Sequence, residues 1–554
     1  MAYDGFVMKR VQEEIHRIMR FPLRNVFAVK NIVYFSFQNM DLKVSLNPNY
    51  SYITVEKRNI PDNLKLTSFV SFLRSRLKNA RVEKLLQYGY ERTWKMVLTK
   101  LDEIGESHRY ELYIDIMGKH SNIILVENGI ILEAYKKVRT KYRNIYPGEP
   151  FLVFPLQKLN PENITHKLFE NSDNNNKALL NFIYENIQGF SKLTSMEVLH
   201  RAGLENKPVS QLNEKEKEII IHVIKQLIDE FKKGKLYLYY ADDKPYEISA
   251  FPLKALNLDY EIFSDVFEGI NVFFQWKERK SIFIQKQLQL EKAVIKNIDK
   301  LENVKDKLLK ELSETENMEK YKKWGELLKA YFYQIKENQN MVTLYDWETE
   351  DYVKVPLERN LTIIENLQHY FRKYNKFKTK RSGITKRLEE IEKELEYLYQ
   401  LWYTILEAET EQEMEEIRGE MISSGILKSA KHRKQKDAIS KPREIIHNGF
   451  KILIGKNNKQ NDKIVKLSSD NDIWLHAHEI PGAHVLIKTG GQKLDDDTLL
   501  FAASLAAGYS KGKDSAKVPV DYTKAKYVKK IKGLKPGMVF YENYKTLMVS
   551  PRRL

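Results

Sequence analysis

The chain has 554 residues, no cysteine and a formal net charge of +17. That length exceeds what one hydrophobic core organises, so several domains are expected. The lack of Cys excludes disulfides and thiolate metal sites. No run of eighteen apolar residues occurs, which argues against a membrane-spanning helix.

The charge favours a polyanionic partner, with nucleic acid ahead of an anionic membrane. The stretch from Met1 to Met19 lacks an apolar core and a cleavage site, so no secretory signal is expected. Together with the absence of Cys, this fits a cytoplasmic protein.

Residues 1–172 read as a mixed α/β domain. A helix is predicted over Asp4–Met19, with strands at Asn31–Phe37, Leu42–Leu46 and Ser51–Val55. A second helix follows at Leu66–Leu77, with Phe69, Phe72, Leu73 and Leu77 on one face. Further strands are predicted at Val82–Tyr88, Thr93–Thr99 and Tyr110–Ile116, then a buried strand between the two turns of GKHSNIILVENG. Residues 173–234 are helical. The stretch Asn186–Leu204 gives helix, glycine turn, helix and glycine stop, which is helix-hairpin-helix-like. Such a hairpin either holds phosphate on its backbone amides or serves only for packing, and Ser191 stands where a second turn glycine would be. Residues 235–275 supply connecting strands, Lys235–Tyr239 and Tyr246–Phe251, and a helix.

Residues 276–432 read as a long antiparallel coiled-coil arm. Ile384, Leu388, Ile391, Leu395, Leu398, Trp402 and Ile405 form a heptad seam within a helix over Tyr374–Ala408. Val294, Ile298, Leu301, Leu308 and Leu312 repeat the rhythm in a helix over Lys280–Leu312, interrupted by Lys305. Between them an ordered tip is expected, with a β-hairpin made by MVTLYD and DYVKVPL. Tyr370, Phe371, Tyr374 and Phe377 interleave with Arg372, Lys373, Lys376 and Lys378. The rings share a helical face and default to core, leaving the cations for solvent or RNA.

A basic linker, Lys428–Arg443, leads to an α+β domain over 433–554. Strands are predicted at Gly449–Ile454, Ile464–Leu467, Asp472–His476, Ala483–Lys488, Val518–Tyr522, Val539–Tyr541 and Thr546–Val549, with a helix at Asp496–Tyr509. From Lys511 to Lys535, nine lysines face Asp514 and Asp521, a local balance of +7. Lysines around strands and turns read as a phosphate-binding surface. No phosphate loop, dinucleotide fingerprint or nucleophile elbow is present. His476, His478 and His484 cluster beside Glu479, but no third His is fixed by spacing, so strand and turn packing is the preferred reading over a metal site. No catalytic residue, cofactor or metal is expected, and a multi-armed binder of structured RNA is the best physical reading.

Several long segments carry a resemblance: MAYDGF at the start, residues 111–138 (ELYIDIMGKHSNIILVENGIILEAYKKV), KYKKWGELLKA and YFRKYNKFK on the arm, and NGFKILIGKNNKQNDKIV, NDIWLHAHEIPGAHVLIK and the alanine- and lysine-rich run after it. With these the chain resembles the NFACT family, and its bacterial RqcH-type branch, which older naming called fibronectin-binding proteins. The resemblance covers essentially the whole chain. It implies ribosome-associated quality control: binding a large ribosomal subunit that carries stalled peptidyl-tRNA, recruiting tRNA (alanyl-tRNA in bacteria), and promoting template-free alanine tailing.

The same resemblance implies a fold like the N-domain of formamidopyrimidine-DNA glycosylases. The nucleophilic proline of those enzymes is Ala2 here, so glycosylase activity is not expected. Two tRNA-binding motifs of the family carry over. An Asp-Arg pair is matched by Glu91-Arg92, and a Glu-Ile-Met triplet by Asp115-Ile116-Met117. Both acids depart from the family pattern. Arg92 is the stronger candidate, since a guanidinium grips phosphate bidentately. Ribosomal RNA contacts would then fall to Lys511, Lys513, Lys517, Lys524, Lys526, Lys529 and Lys530, with Arg372 and Lys373 on the arm. Peptide-bond formation would rest with the ribosome. The rival readings are a DNA-binding repair-like protein and a surface adhesin.

Overall fold

The computed structural model describes every residue except 1–2, 16–17, 59–66, 103, 140–142, 153–157, 171–175, 337 and 429–439. Ala2, Leu66 and most of the basic linker fall outside the described residues. The chain divides into two compact units, 1–280 and 281–554, each of mixed helix and sheet.

The first unit opens on α1 (Gly5–Glu14), whose N-cap Asp4 accepts the Phe6 and Val7 amides at 3.0 Å each. The expected helix ran on to Met19, but α1 stops at Glu14 and the Ile18 amide closes a turn onto the Ile15 carbonyl. Strands β1 (Asn25–Val29), β2 (Ile32–Phe37), β3 (Met40–Asn47) and β4 (Tyr50–Lys57) form an antiparallel meander. β1 lacks a period-two signal because its sequence after Asn25, VFAV, is apolar throughout and offers no polar alternation. After α2 (Ser68–Leu77), strands β5 (Arg81–Gln87), β6 (Thr93–Leu101), β7 (Ser107–Asp115), β8 (Asn122–Glu127) and β9 (Ile130–Ala134) make a five-stranded antiparallel sheet in sequence order. A small ribbon, β10 (Val138–Arg139) with β11 (Asn144–Ile145), follows it.

Helices α3 (Leu179–Asn186) and α4 (Lys192–Ala202) flank a turn at Gly189, and α5 (Glu214–Phe231) packs against α4. Ser191 caps α4 by accepting the Thr194 amide, and Gly203 ends it in the left-handed region. So Ser191 has a capping job that glycine could not perform. A three-stranded sheet of β12 (Leu236–Ala241), β13 (Lys244–Ser249) and β14 (Tyr260–Phe263) completes the unit with β12 central.

The long helix α6 (Val266–Ser313) begins well before the predicted Lys280. Its first turns carry Val266, Ile270, Phe273 and Phe274, an apolar face that Lys277, Lys280 and Gln287 separate from the seam. Those four residues join one core with Phe6, Leu112 and Ile224.

In the second unit, α7 (Met318–Ala330), the hairpin β15 (Met341–Asp346)–β16 (Asp351–Pro356) and the start of α8 (Ile363–Glu407) share a small core of Leu327, Leu328, Leu344, Val355, Leu357, Ile363 and Tyr370. α8 also starts earlier than predicted, at a Thr362–Glu365 capping box that the heptad pattern does not report. Contacts between α6 and α8 run in opposite order: Lys380 to Glu311, Lys305 to Glu392, Trp402 to Glu291 and Gln287 to the Ile405 carbonyl. The two helices therefore lie antiparallel, with Leu290, Val294 and Ile298 packed among Ile391, Leu395, Leu398 and Ile405. Lys305, the break in the apolar rhythm, is held by Glu392 at 2.9 Å.

α9 (Glu411–Ser423) buries Met414, Ile417 and Met421 in the same cluster. Then come β17 (Arg443–His447), β18 (Phe450–Ile454), α10 (Asn458–Leu467), β19 (Ile473–Ala477), β20 (Val485–Lys488), α11 (Asp496–Gly508), β21 (Val518–Lys524), β22 (Val528–Lys529), β23 (Phe540–Tyr541) and β24 (Lys545–Val549). Six of these strands form one sheet, ordered β17-β18-β20-β19-β21-β24. The alanines Ala502, Ala503, Ala506 and Ala507 let α11 lie close against it. The strand expected at Ile464–Leu467 is instead the end of α10. Asn457 caps that helix, and Gln460, Asn461 and Ile464 form its buried face at helical spacing. Four apolar-leaning residues were too short a run to separate strand from helix.

Candidate nucleic-acid interface

The two motifs of the first unit meet at one end of the five-stranded sheet. Thr93 opens β6 and pairs in register with Asp115, the last residue of β7. One step beyond that pair, the Ile116 amide donates to the Arg92 carbonyl at 2.8 Å. Ile116 is itself fully buried and belongs to the core. Met117 is half-buried, with its amide on the Ser121 hydroxyl at 2.8 Å.

Asp115 is buried, and its carboxylate accepts from the Thr93 hydroxyl at 2.9 Å and from Arg143 Nη1 at 3.0 Å. Burial pushes its pKa up, against the pull of Arg143 and Thr93. Arg92 is half-buried. Burial draws its pKa down, while Asp4, Tyr184 and Glu91 favour the charged form, and a guanidinium stays protonated throughout. Lys158 feels both Glu91 and Arg92, and its ammonium sits 5.0 Å from the Tyr184 ring centroid.

The turn that presents Glu91 and Arg92 is braced from two sides. Gln87 Nε2 donates to the Gly5 and Glu91 carbonyls at 2.9 Å each. Gln188, in the α3–α4 turn, accepts the Tyr90 amide at 3.4 Å and donates to the Lys158 carbonyl at 3.0 Å. Gly189 must be glycine: its φ is +78°, and a Cβ there would sit 2.8 Å from Tyr90 Cβ. The helix–turn–helix thus supports the Arg92 turn by packing. Arg143, Lys158 and Gln188 were not singled out from the sequence. No local spacing links them to Arg92; only the fold does.

In the second unit the predicted cations differ from one another. Lys530 is occupied: its ammonium lies 2.8 Å from Asp462 and donates to the Lys535 carbonyl. Lys513 pairs with Glu407 at 2.9 Å, and Lys529 approaches Glu542 at 3.8 Å. Lys511, Lys517, Lys524 and Lys526 are exposed and have no ion pair among the described residues, although Lys526 lies over Tyr527 and Lys511 near Tyr399. On α8, Arg372 is exposed and Lys373 lies 5.4 Å from the Tyr321 ring centroid.

Asp521 is fully buried and accepts from His478 (2.7 Å), Tyr541 (2.8 Å) and Thr546 (2.7 Å), so it does not offset the surface lysines from outside. His476 and His484 pack edge to face, 5.3 Å between centroids. Burial lowers the His476 pKa to about 4 and keeps the ring neutral at ordinary pH. Among the described residues the one acid–histidine group close enough to share an ion is elsewhere, at Asp102, Glu106 and His108 in the β6–β7 turn. There Asp102 Oδ1 already accepts the Ile104 and Glu106 amides. No helix of the described residues is long and apolar enough to cross a membrane.

A braced guanidinium at a sheet end and exposed lysines on a second sheet domain have the chemistry to meet phosphate. Family models make the assignment specific. One described as NFACT N-terminal and middle domains matches residues 4–439, and one described as NFACT protein RNA binding domain matches 445–543. The chain belongs to the NFACT family.

It is 30% identical to the Rqc2 homolog RqcH of Bacillus subtilis (strain 168) over a 586-residue alignment spanning 100% of this chain and 98% of that protein. It is 29% identical to the Rqc2 homolog RqcH of Streptococcus suis, again over 100% and 98%. The solved C-terminal part of the fibronectin/fibrinogen-binding protein from Streptococcus suis covers 49% of this chain and 95% of its own, at 32% identity and a TM-score of 0.40.

Proposed function

We propose that this protein is a ribosome-associated quality-control factor acting in the cytoplasm. It binds a large ribosomal subunit that carries stalled peptidyl-tRNA, recruits alanyl-tRNA, and promotes template-free alanine tailing of the nascent chain. The observation that carries this reading is the end-to-end similarity to RqcH proteins, with both NFACT models matched in order.

In this scheme the chain is a scaffold, and the ribosomal peptidyl-transferase centre makes the bond. The contribution to rate is proximity supplied by binding. Arg92 grips tRNA phosphate, with Glu91 beside it. Asp115 acts through Arg143 and Thr93, and Ile116 and Met117 shape the sheet end. The lysines of the last domain, with Arg372 and Lys373, face ribosomal RNA, and the antiparallel α6–α8 pair spaces the contacts as a coiled-coil arm. The domain scheme 1–172, 173–234, 235–275, 276–432 and 433–554 goes with this division of labour.

Sequencing RNA crosslinked to the protein tests the whole reading: tRNA, with alanine isoacceptors enriched, and large-subunit rRNA are expected. Recovery of DNA instead would favour the repair-like alternative, and fractionation outside the cell membrane would favour the adhesin. Arg92→Ala tests the site. It should lower tRNA affinity by about 10- to 100-fold, the value of a charge-assisted hydrogen bond, while sedimentation with the large subunit persists. Equal loss of both in a folded protein would refute the division.

A further inference from the structure

Within the second unit, α9 touches both α8 and α10, and α10 lies against β18 and β20 of the six-stranded sheet. α9 therefore joins the α6–α8 helix pair to the sheet domain. One of its faces, Met414, Ile417 and Met421, packs among the apolar residues of α6 and α8. A neighbouring face carries Glu413, Glu416 and Glu420, spaced three and four apart so that they line up along the helix. All three acids are buried, at 2%, 3% and 0% exposure. They meet Lys456, Asn457 and Asn458, the residues at the start of α10.

The three acids are compensated unequally. Glu413 has a cation, Lys456 Nζ at 3.0 Å, and its Oε2 also accepts the Glu409 and Thr410 amides at 2.8 and 3.2 Å. Glu416 has a donor on each oxygen: the Ser440 amide on Oε1 and Asn457 Nδ2 on Oε2, both at 2.6 Å. Glu420 is served on one side only. The Tyr397 hydroxyl and Asn458 Nδ2 both donate to Oε1, at 2.9 Å each. Its Oε2 is buried with no partner, and no ion pair reaches it among the described residues. Asn458 Oδ1, on the same amide that donates to Glu420, is buried without a donor as well.

A buried carboxylate with an unserved oxygen and no counter-charge is more stable as the acid. A proton on Glu420 removes the charge and brings a donor into a cluster that has two unserved acceptors. The groups facing it do not reverse this. On α10, Lys459 favours the charged form and Asp462 opposes it, and Asp462 is itself held by Lys530 at 2.8 Å. On α8, Tyr397 shares its hydroxyl with Ser424 at 2.8 Å, and Lys535 stands 5.4 Å from the Tyr397 ring centroid. Burial outweighs the donors and lifts the Glu420 pKa from 4.5 to about 7.

We propose that Glu420 is a proton-controlled latch between the α6–α8 helix pair and the sheet domain: as the neutral acid it lets α9 close on the start of α10, and its ionisation loosens that joint. The latch does not depend on the RNA-binding reading. The closed joint binds the proton more tightly than the open one. Its contribution is therefore fully present below pH 4.5 and is lost as pH rises through 7. Opening becomes easier by up to about tenfold per pH unit over that interval and levels off above it.

Hydrogen exchange of the full chain, read on peptides from α9 and α10 and expressed as protection relative to the intrinsic rate at each pH, follows the joint. Wild-type protection should fall by up to about tenfold per unit between about pH 5 and pH 7 and then level off. Glu420→Gln keeps the size of the side chain and cannot ionise, so its protection should hold over the same range. Other groups that titrate there do so in both proteins, and the difference between the two curves isolates residue 420. Tyr397→Phe removes a donor to the carboxylate and should move the midpoint of the fall to higher pH, which tests the same titration in a chain that retains the acid. Parallel curves for wild type and Glu420→Gln would overturn the latch, and so would a Tyr397→Phe midpoint that stays in place or moves down. A fall spread evenly over the strands of the sheet as well as α9 and α10 would assign the pH dependence to the whole unit and overturn it too.

Discussion

Replacing Asp115 by Ala separates a residue that touches RNA from one that positions a neighbour. The Asp115–Arg143 pair is 3.0 Å long, with side chains only 4% and 10% exposed. Removing one partner of a buried pair leaves the other charge without compensation and costs about 3–5 kcal/mol. The Thr93 hydroxyl loses its acceptor as well, for about 1 kcal/mol. Burial already pushes the Asp115 pKa up, so part of the attraction to Arg143 is spent on keeping the carboxylate desolvated. The low end of the range, about 3 kcal/mol, is therefore expected. For a unit of this size that lowers the unfolding transition by roughly 6–12 °C. Calorimetry on the full chain reads it as a shift of the first unit's transition with the second unit's left in place. Asp115→Asn keeps an acceptor for Thr93 and for one Arg143 N–H, and should lose about half as much. A loss below about 1 kcal/mol accompanied by abolished tRNA binding would refute the reasoning, because Asp115 would then contact RNA directly.

Three further outcomes follow from particular contacts. The Asp4 carboxyl is raised by burial from 3.8 to about 6, so its contribution is fully present below pH 4 and is lost as pH rises through 6. Asp4→Asn keeps the cap on α1 and should gain about 3 kcal/mol relative to wild type between pH 4 and pH 7; denaturant midpoints that track in parallel over that interval would refute it. Gly189→Ala should destabilise the first unit by about 1–3 kcal/mol, from strain at positive φ and a collision with Tyr90; an unchanged melting temperature would mean the α3–α4 turn does not brace Arg92. Replacing Lys511, Lys517, Lys524 and Lys526 together by Gln should make the salt dependence of RNA binding shallower by up to about 0.9 log units per phosphate contact, while Lys530→Gln should cost stability through Asp462 with little change in slope. Filter binding across a salt series decides this, and identical slopes for the quadruple variant would show that those lysines are only solvated.

The parts of the fold that were legible in the sequence are those written in local periodicity. The seam from Ile384 to Ile405, the meander strands β2 to β4 and the alanine face of α11 each announce themselves within a few turns of chain. The misread parts have three physical causes. Some elements are apolar along nearly their whole length and show no alternation, as in β1. Others are interrupted partway, as α6 is where Lys277, Lys280 and Gln287 separate the Val266–Phe274 face, buried in a globular core, from the seam. The segment Ile464–Leu467 failed for a third reason: its cap, Asn457, lies seven positions upstream of the apolar residues it makes helical.

The candidate site was legible to a lesser degree, and the reason lies in how its charges are distributed. Composition registers every lysine equally, whereas the fold divides them into those that hold the protein together and those left for a partner. Lys305 and Lys530 look like any other basic residue in the chain, yet each is fixed by an acid far away in sequence, Glu392 and Asp462. The reverse holds at the sheet end. Asp4, Arg92, Asp115, Arg143 and Gln188 share no motif, and they come together because β6 and β7 end in register and the α3–α4 turn closes over the β5–β6 turn. A site assembled in this way is sensitive to its supports. If Arg92 is a built phosphate site, weakening Gly189 or Asp115 should disturb it without touching it; an accidental surface arginine would show no such indirect sensitivity.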